Sequence, residues 1–288
     1  MNINKWVIGA RPKTLPAAVV PVAVGTSIAI GEGIFSASKA IAALLVALSL
    51  QIATNFVNDY ADGVRGSDDD RQGPTRLVAS GLASVKDVKV AAGVSFLIAG
   101  IAGLFLVLTV GFELIPVGIF SILAGWAYTG GPKPYGYLGL GEVFVFVFFG
   151  LVATMGSYYV QVEQINWLSA ICAVAVGCLS VCLMITNNLR DIDSDSVSNK
   201  MTLAVKVGDS ATRYFYLLCV IIIFLCLIVI GAVHPYALFA LSGLVLFAFP
   251  LYSILIKKVT GLLLVKVLSQ TAVAQLVIGI LLSVGLSI

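Results

Sequence analysis

The chain has 288 residues, 60% of them hydrophobic and 11% charged. A soluble domain is nearer half apolar and a quarter charged, so this composition argues against a soluble globule. The formal charge of +3 is too small to suggest nucleic acid, and no nucleic-acid partner is expected.

The apolar content is spread in long unbroken runs along the whole length, which predicts a single all-α, polytopic domain in the lipid bilayer over residues 1–288. A β-barrel would show short alternating segments instead. No cleavable signal peptide is expected, because Arg11-Pro12-Lys13 leads straight into the first run. The pattern predicts nine spans, at 15–31, 38–59, 88–109, 112–129, 138–161, 167–189, 213–232, 235–256 and 264–287. Each is long enough to cross about 30 Å of hydrocarbon. Two polar breaks are long, 60–87 and 190–212.

Charge placement supports that count. With the N-terminus inside, 16 of the 17 Lys and Arg fall on the cytoplasmic side, and only Lys39 falls outside. The protein is therefore expected in the cytoplasmic membrane, with its N-terminus and both long loops inside. The outer loops hold Glu32, Glu113, Glu163 and His234. His234 is the only histidine and precedes a proline in a tight turn, so a mechanism needing a histidine base is disfavoured. Five cysteines, Cys172, Cys178, Cys182, Cys219 and Cys226, lie in apolar runs without metal-site spacing and read as small buried hydrophobes. Tyr158 and Tyr159 read as an interfacial aromatic belt.

Every aspartate lies in or beside the two long inner loops. The first cluster runs from Asn55 through Asn58, Asp59, Asp62 and Arg65 to Asp68-Asp69-Asp70. The second runs from Asn187-Asn188 through Arg190, Asp191, Asp193 and Asp195 to Lys200. Each has an Asn four residues before its first key Asp, and a second Asp three or four residues after it. On a helix this spacing stacks the side chains on one face. The pattern reads as a weak internal repeat.

An even number of spans separates the clusters, so both should emerge on the same face, at helix C-termini. Backbone ends that carry partial negative charge, together with carboxylates, disfavour a bare anion and favour a divalent cation such as Mg²⁺ that bridges to phosphate oxygens. Asp59, Asp62, Asp68, Asp191 and Asp195 are the expected metal ligands. Asp69, Asp70 and Asp193 read as solvated charge. Arg65, Arg76, Lys133, Arg190 and Lys200 are placed to neutralise a diphosphate. Asn55, Asn58, Asn187 and Asn188 sit at the ends of apolar helices, where polar side chains are costly and usually functional. A Gly-, Pro- and Tyr-rich segment, 128–137, reads as a flap with Lys133 on phosphate and Tyr128 lining the pocket.

These two clusters resemble the paired signatures of the UbiA-type intramembrane prenyltransferases. Ala10-Arg11-Pro12-Lys13, Gly73-Pro74-Thr75-Arg76 and Gly139-Leu140-Gly141-Glu142 are most similar to the branch that acts on 1,4-dihydroxy-2-naphthoate. The wider superfamily has an Asp where this chain has Gly66, with the next Asp at Asp68, a shift that also resembles that branch. The resemblance implies nine helices around a central cavity capped on the cytoplasmic side. It also implies Mg²⁺, a polyprenyl diphosphate donor, and a menaquinone precursor as product, formed with loss of CO₂. Within that scheme Asp59, Asp62, Asp191, Asp195, Lys133 and Arg190 are the expected catalytic residues. The alternatives are another acceptor (hydroxybenzoate, homogentisate, haem or a sugar) or a cation-coupled transporter. A transporter would place its ionisable residues near the bilayer midplane, whereas these cluster at one face. The signature of a CDP-alcohol phosphotransferase is absent.

Overall fold

The computed structural model describes residues 3–66 and 75–288. Asp68, expected as a metal ligand, lies outside the described residues, as do Asp69 and Asp70. The elements in order are α1 (Ile3–Ala10), α2 (Pro16–Gly31), α3 (Ala37–Arg65), α4 (Val85–Thr109), α5 (Leu114–Ala127), α6 (Gly141–Val162), α7 (Trp167–Arg190), α8 (Ile192–Val197), α9 (Leu203–Val233), α10 (Pro235–Ile256) and α11 (Leu263–Leu286). Among the described residues seven of these are long and apolar enough to cross a membrane. An eighth span is a bent pair, in which α1 and the short turn Pro12–Thr14 meet α2 at 55°. The protein is thus a multi-pass α-helical membrane protein.

The fourth expected span, 112–129, is α5, which has only 14 residues. At 1.5 Å per residue it covers roughly 21 Å, short of the hydrocarbon thickness. The expected bounds took in Phe112 and Glu113 before the helix and Tyr128 and Thr129 after it, which are turn residues. The seventh span is longer than expected, starting at Leu203 rather than near 213. Thr202 caps it by accepting from the Val205 amide, and Gly208 breaks the helical path with φ 84 and ψ 166. A side chain at that φ would be strained, so glycine allows the polar first turns to bend away from the apolar span.

Helix α7 is the hub: 78% of its apolar window is buried, against 28–50% for the other long helices. Its small residues let neighbours approach closely. A Cβ on Gly150 of α6 would lie 2.7 Å from the Gly177 Cα and 2.8 Å from the Ala173 carbonyl oxygen. Such backbone contact between small residues is the usual basis of helix association in lipid. Gly150→Val is therefore expected to lower stability by about 2–3 kcal/mol. The check is thermal unfolding in detergent, where an unchanged midpoint would contradict this packing. Phe146–Met155, which includes Gly150, is wound as a π-helix, a form often found at functional sites.

All five cysteines are buried, as expected. Tyr158 is not part of an interfacial belt. It is 2% exposed, and its hydroxyl donates to the Glu32 carboxylate at 2.9 Å and accepts from the Asn166 amide at 2.9 Å. That network ties together α2, α6 and α7 at the end of the bundle opposite the aspartates, and a one-dimensional pattern could not reveal it.

Candidate active site

The first acidic cluster occupies the last turns of α3. Gln51, Asn55 and Asp59 repeat every four residues and so share one face. Asn55 donates to the Ala10 carbonyl at 2.9 Å and to Thr14 Oγ1 at 3.1 Å, and Gln51 donates to the same hydroxyl at 3.1 Å. These bonds hold the turn between α1 and α2 against α3. Within that turn Arg11 adopts a left-handed backbone with φ 52, which is unusual for a non-glycine residue. Its guanidinium donates to the Asn55 carbonyl. Asp59 is fully buried and accepts from the Leu77 and Val78 amides at 2.8 and 2.9 Å, pinning the segment that carries Arg76.

One turn further on, Asp62 is also fully buried. The Tyr137 hydroxyl donates to it at 2.8 Å, and Lys200 Nζ lies 3.4 Å away. The same ammonium lies 3.5 Å from Asp195 of α8. One cation therefore joins the two acidic clusters across the bundle. Tyr137 is held in turn by its ring, with the Arg65 guanidinium 5.1 Å and Lys200 Nζ 5.5 Å from the centroid, within cation–π range. Arg65 also donates to the carbonyls of Thr129 and Gly131, fastening the α5–α6 connection over the end of α3.

The second cluster sits where α7 ends. Asp191 closes the helix, its amide donating to the Asn187 carbonyl. The Arg190 guanidinium donates two bonds to Asp191, both 2.6 Å, in the strong bidentate geometry of charged pairs. Asn188 donates to the buried Glu142 at 2.8 Å.

Both clusters border a cavity of about 790 Å³. Its mouth presents Asn55, Asn58, Arg76, Tyr128, Asn187, Asn188, Arg190, Asp191 and Lys200, all expected from sequence. Arg11, Lys13 and Gln51 were missed. Five basic side chains but a single carboxylate, Asp191, are among the described residues lining it. Deeper in, the wall is apolar and includes Phe144, Phe148, Phe149, Val152 and Val160. Tyr128, Tyr135, Phe144 and Phe148 form a run of ring contacts along it, with 3.8 Å between the Tyr135 and Phe144 centroids. Burial, aided by the negative charges of Asp62, Glu142 and Asp195, raises the Tyr128 phenol pKa far above its ordinary range, so it remains a donor. That hydroxyl lies 3.5 Å from the Met184 sulfur.

Asp59, Asp62 and Asp195 stand behind this lining rather than in it. Arg65 is exposed and committed to loop carbonyls, and Lys133 is exposed outside the cavity. The structure thus does not bring Arg65 or Lys133 to the pocket. Gln51 could have been found by extending the four-residue spacing back from Asn55. Tyr137 had no such signal, because its partners lie far away in sequence.

The donor set suits a hard divalent cation. Asn58 Oδ1 is buried without a hydrogen-bond partner among the described residues, at the cavity edge. The carboxylates of Asp62 and Asp195 already converge on one cation, Lys200. Among the described residues no three His, Cys, Asp or Glu side chains form a closed metal site. A cation that takes one or two carboxylates and completes its shell with phosphate oxygens and water does not need one.

A helical bundle with paired acidic motifs at one end of a greasy, cation-rimmed cavity defines an intramembrane transferase of the UbiA type. Residues 18–262 match the UbiA prenyltransferase family, and the chain belongs to it. It is 49% identical over 215 residues, 75% of this chain and 74% of the relative, to a 1,4-dihydroxy-2-naphthoate octaprenyltransferase of Mycobacterium tuberculosis. It is 33% identical to the Haemophilus influenzae protein of the same name, over all of this chain and 97% of that one. The fold matches a UbiA homolog from Archaeoglobus fulgidus solved with DMAPP and Mg²⁺, with a TM-score of 0.65 at 15% identity, covering 97% of this chain and 99% of that one.

Proposed function

We propose that this protein transfers a polyprenyl group from its diphosphate to 1,4-dihydroxy-2-naphthoate with loss of CO₂, in menaquinone biosynthesis, and that it depends on Mg²⁺. The observation that carries the reading is the meeting of Asp62 and Asp195 on one ammonium beside a cavity with a basic rim and an apolar wall. The relatives of the same name support the naphthoate acceptor. The placement of Lys and Arg along the chain supports the cytoplasmic membrane, with the N-terminus and the acidic motifs inside.

Asp62, Asp191, Asp195 and Asn58 would hold the cation, which supplies Lewis-acid neutralisation of the leaving diphosphate. Arg11, Lys13, Arg76, Arg190 and Lys200 at the rim bind the diphosphate oxygens and stabilise the negative charge that grows there. Asp59 acts at one remove by fixing the Arg76 segment. The apolar wall seats the isoprenoid and keeps water from an allylic carbon with cation character.

As the C–O bond breaks, its electron pair leaves with the diphosphate. The electron-rich ring attacks through the carbon bearing the carboxylate, and the new C–C bond forms. Loss of CO₂ then returns an electron pair to the ring and restores aromaticity. An arene with two hydroxyls needs no histidine base.

The test is an assay of purified protein with farnesyl diphosphate and carboxyl-labelled dihydroxynaphthoate. Release of label as CO₂ should match the prenylated product one for one, stop on chelation, and return with Mg²⁺. Transfer to 4-hydroxybenzoate but not to dihydroxynaphthoate would overturn the acceptor assignment.

A further inference from the structure

Glu142 is a carboxylic residue inside the bundle that the scheme above does not use. It is 3% exposed, lies in the first turn of α6, and has no ion pair among the described residues. Oε1 accepts from the Asn188 side-chain amide at 2.8 Å, while Oε2 has no partner among the described residues. Burying such a group is costly, and the Asn188 bond and the partial positive charge at the start of α6 offset part of it. An intramembrane ionisable group kept at that cost marks function.

An asparagine amide offers donors on one side and an acceptor on the other. With its NH₂ turned to Glu142, Asn188 has Oδ1 turned away from it, and that oxygen has no donor among the described residues. Asn188 lines the cavity, close to the aromatic run that ends on α6 at Phe144 and Phe148. Without Glu142 the amide would be free to turn over and offer N–H groups in place of the oxygen.

We propose that Glu142 is a positioning residue: by holding the Asn188 amide it fixes Oδ1 toward the cavity as the acceptor for a hydroxyl of the aromatic co-substrate. This rests on the prenyl-transfer reading. Aromatic faces and one fixed oxygen at their polar edge form a subsite for a flat, hydroxylated ring, because a site built to bond a hydroxyl discriminates strongly against a ring lacking it.

The experiment measures KM for dihydroxynaphthoate and for farnesyl diphosphate separately, with thermal unfolding as the check on folding. Glu142→Leu should raise the naphthoate KM at least tenfold and leave the farnesyl diphosphate KM within twofold. Glu142→Gln, which keeps an acceptor oxygen, should stay within threefold of the native protein. Asn188→Leu should match Glu142→Leu, and the double variant should be no worse than either, since residues acting through one contact do not add. Additive losses, or a rise confined to the farnesyl diphosphate KM, would overturn the proposal. If Glu142→Leu does not fold, Asn188→Ala, which removes the acceptor oxygen, decides: a naphthoate KM raised tenfold supports the role, and an unchanged KM refutes it. A native protein that turns over while Glu142→Leu matches it sinks this inference alone; a native protein with no transfer to dihydroxynaphthoate sinks the reaction itself.

Discussion

Replacing Asp62 by Asn is expected to lower turnover by about 10³-fold, the scale of losing a preorganised electrostatic contact, while the protein still inserts and folds. Asn keeps the shape of Asp62 and can still accept the Tyr137 hydroxyl bond now made at 2.8 Å. It removes the negative charge that faces Lys200 and would face a cation. Asp191→Asn should behave alike, although the Arg190 guanidinium then loses its bidentate partner and some stability goes with it. Steady-state rates at saturating Mg²⁺, with unfolding midpoints beside them, make the check. Near-native rates in either variant would contradict a role for that motif in catalysis.

Lys200→Met should have the next largest effect, and on two properties at once. The native ammonium sits 3.4 Å from Asp62 and 3.5 Å from Asp195, two carboxylates that are almost fully buried. Methionine fills similar space but removes the ammonium that lies between the two carboxylates, which should cost about 3 kcal/mol in the metal-free protein. Millimolar Mg²⁺ should restore most of that loss, because a divalent cation can take the place of the ammonium between the carboxylates. The native protein should gain much less. Turnover should remain about 10²-fold low even with Mg²⁺, since Lys200 also lines the cavity as one of its cations. A variant whose unfolding midpoint matches the native one, with and without Mg²⁺, would show that Lys200 does not hold the motifs together.

Much of this arrangement was legible in sequence, because lipid makes the rules strict. Apolar runs of fixed length give the helices, and the even number of expected spans between the motifs sets Asp59 and Asp191 at one end of the bundle. The four-residue spacing from Asn55 to Asp59 reports a helix face directly. Other features depend on contacts that sequence does not encode locally. Tyr137 reaches Asp62 across 75 positions, and Asn188 reaches Glu142 across 46. Arg65 and Lys133 have the right charge near the right motif, yet the loop that Arg65 fastens is the one that carries Lys133 outward. Arg11 enters the site through a left-handed backbone that composition does not signal. The expected bounds of α5 took in turn residues at both of its ends.

The most direct measurement of the central claim is equilibrium binding of geranyl diphosphate to the purified protein, by calorimetry, with and without Mg²⁺. Binding should require Mg²⁺ in the native protein and be lost in both Asp62→Asn and Asp191→Asn, because each acidic motif supplies part of one shared site. Binding that is indifferent to Mg²⁺, or that survives loss of either motif, would contradict it.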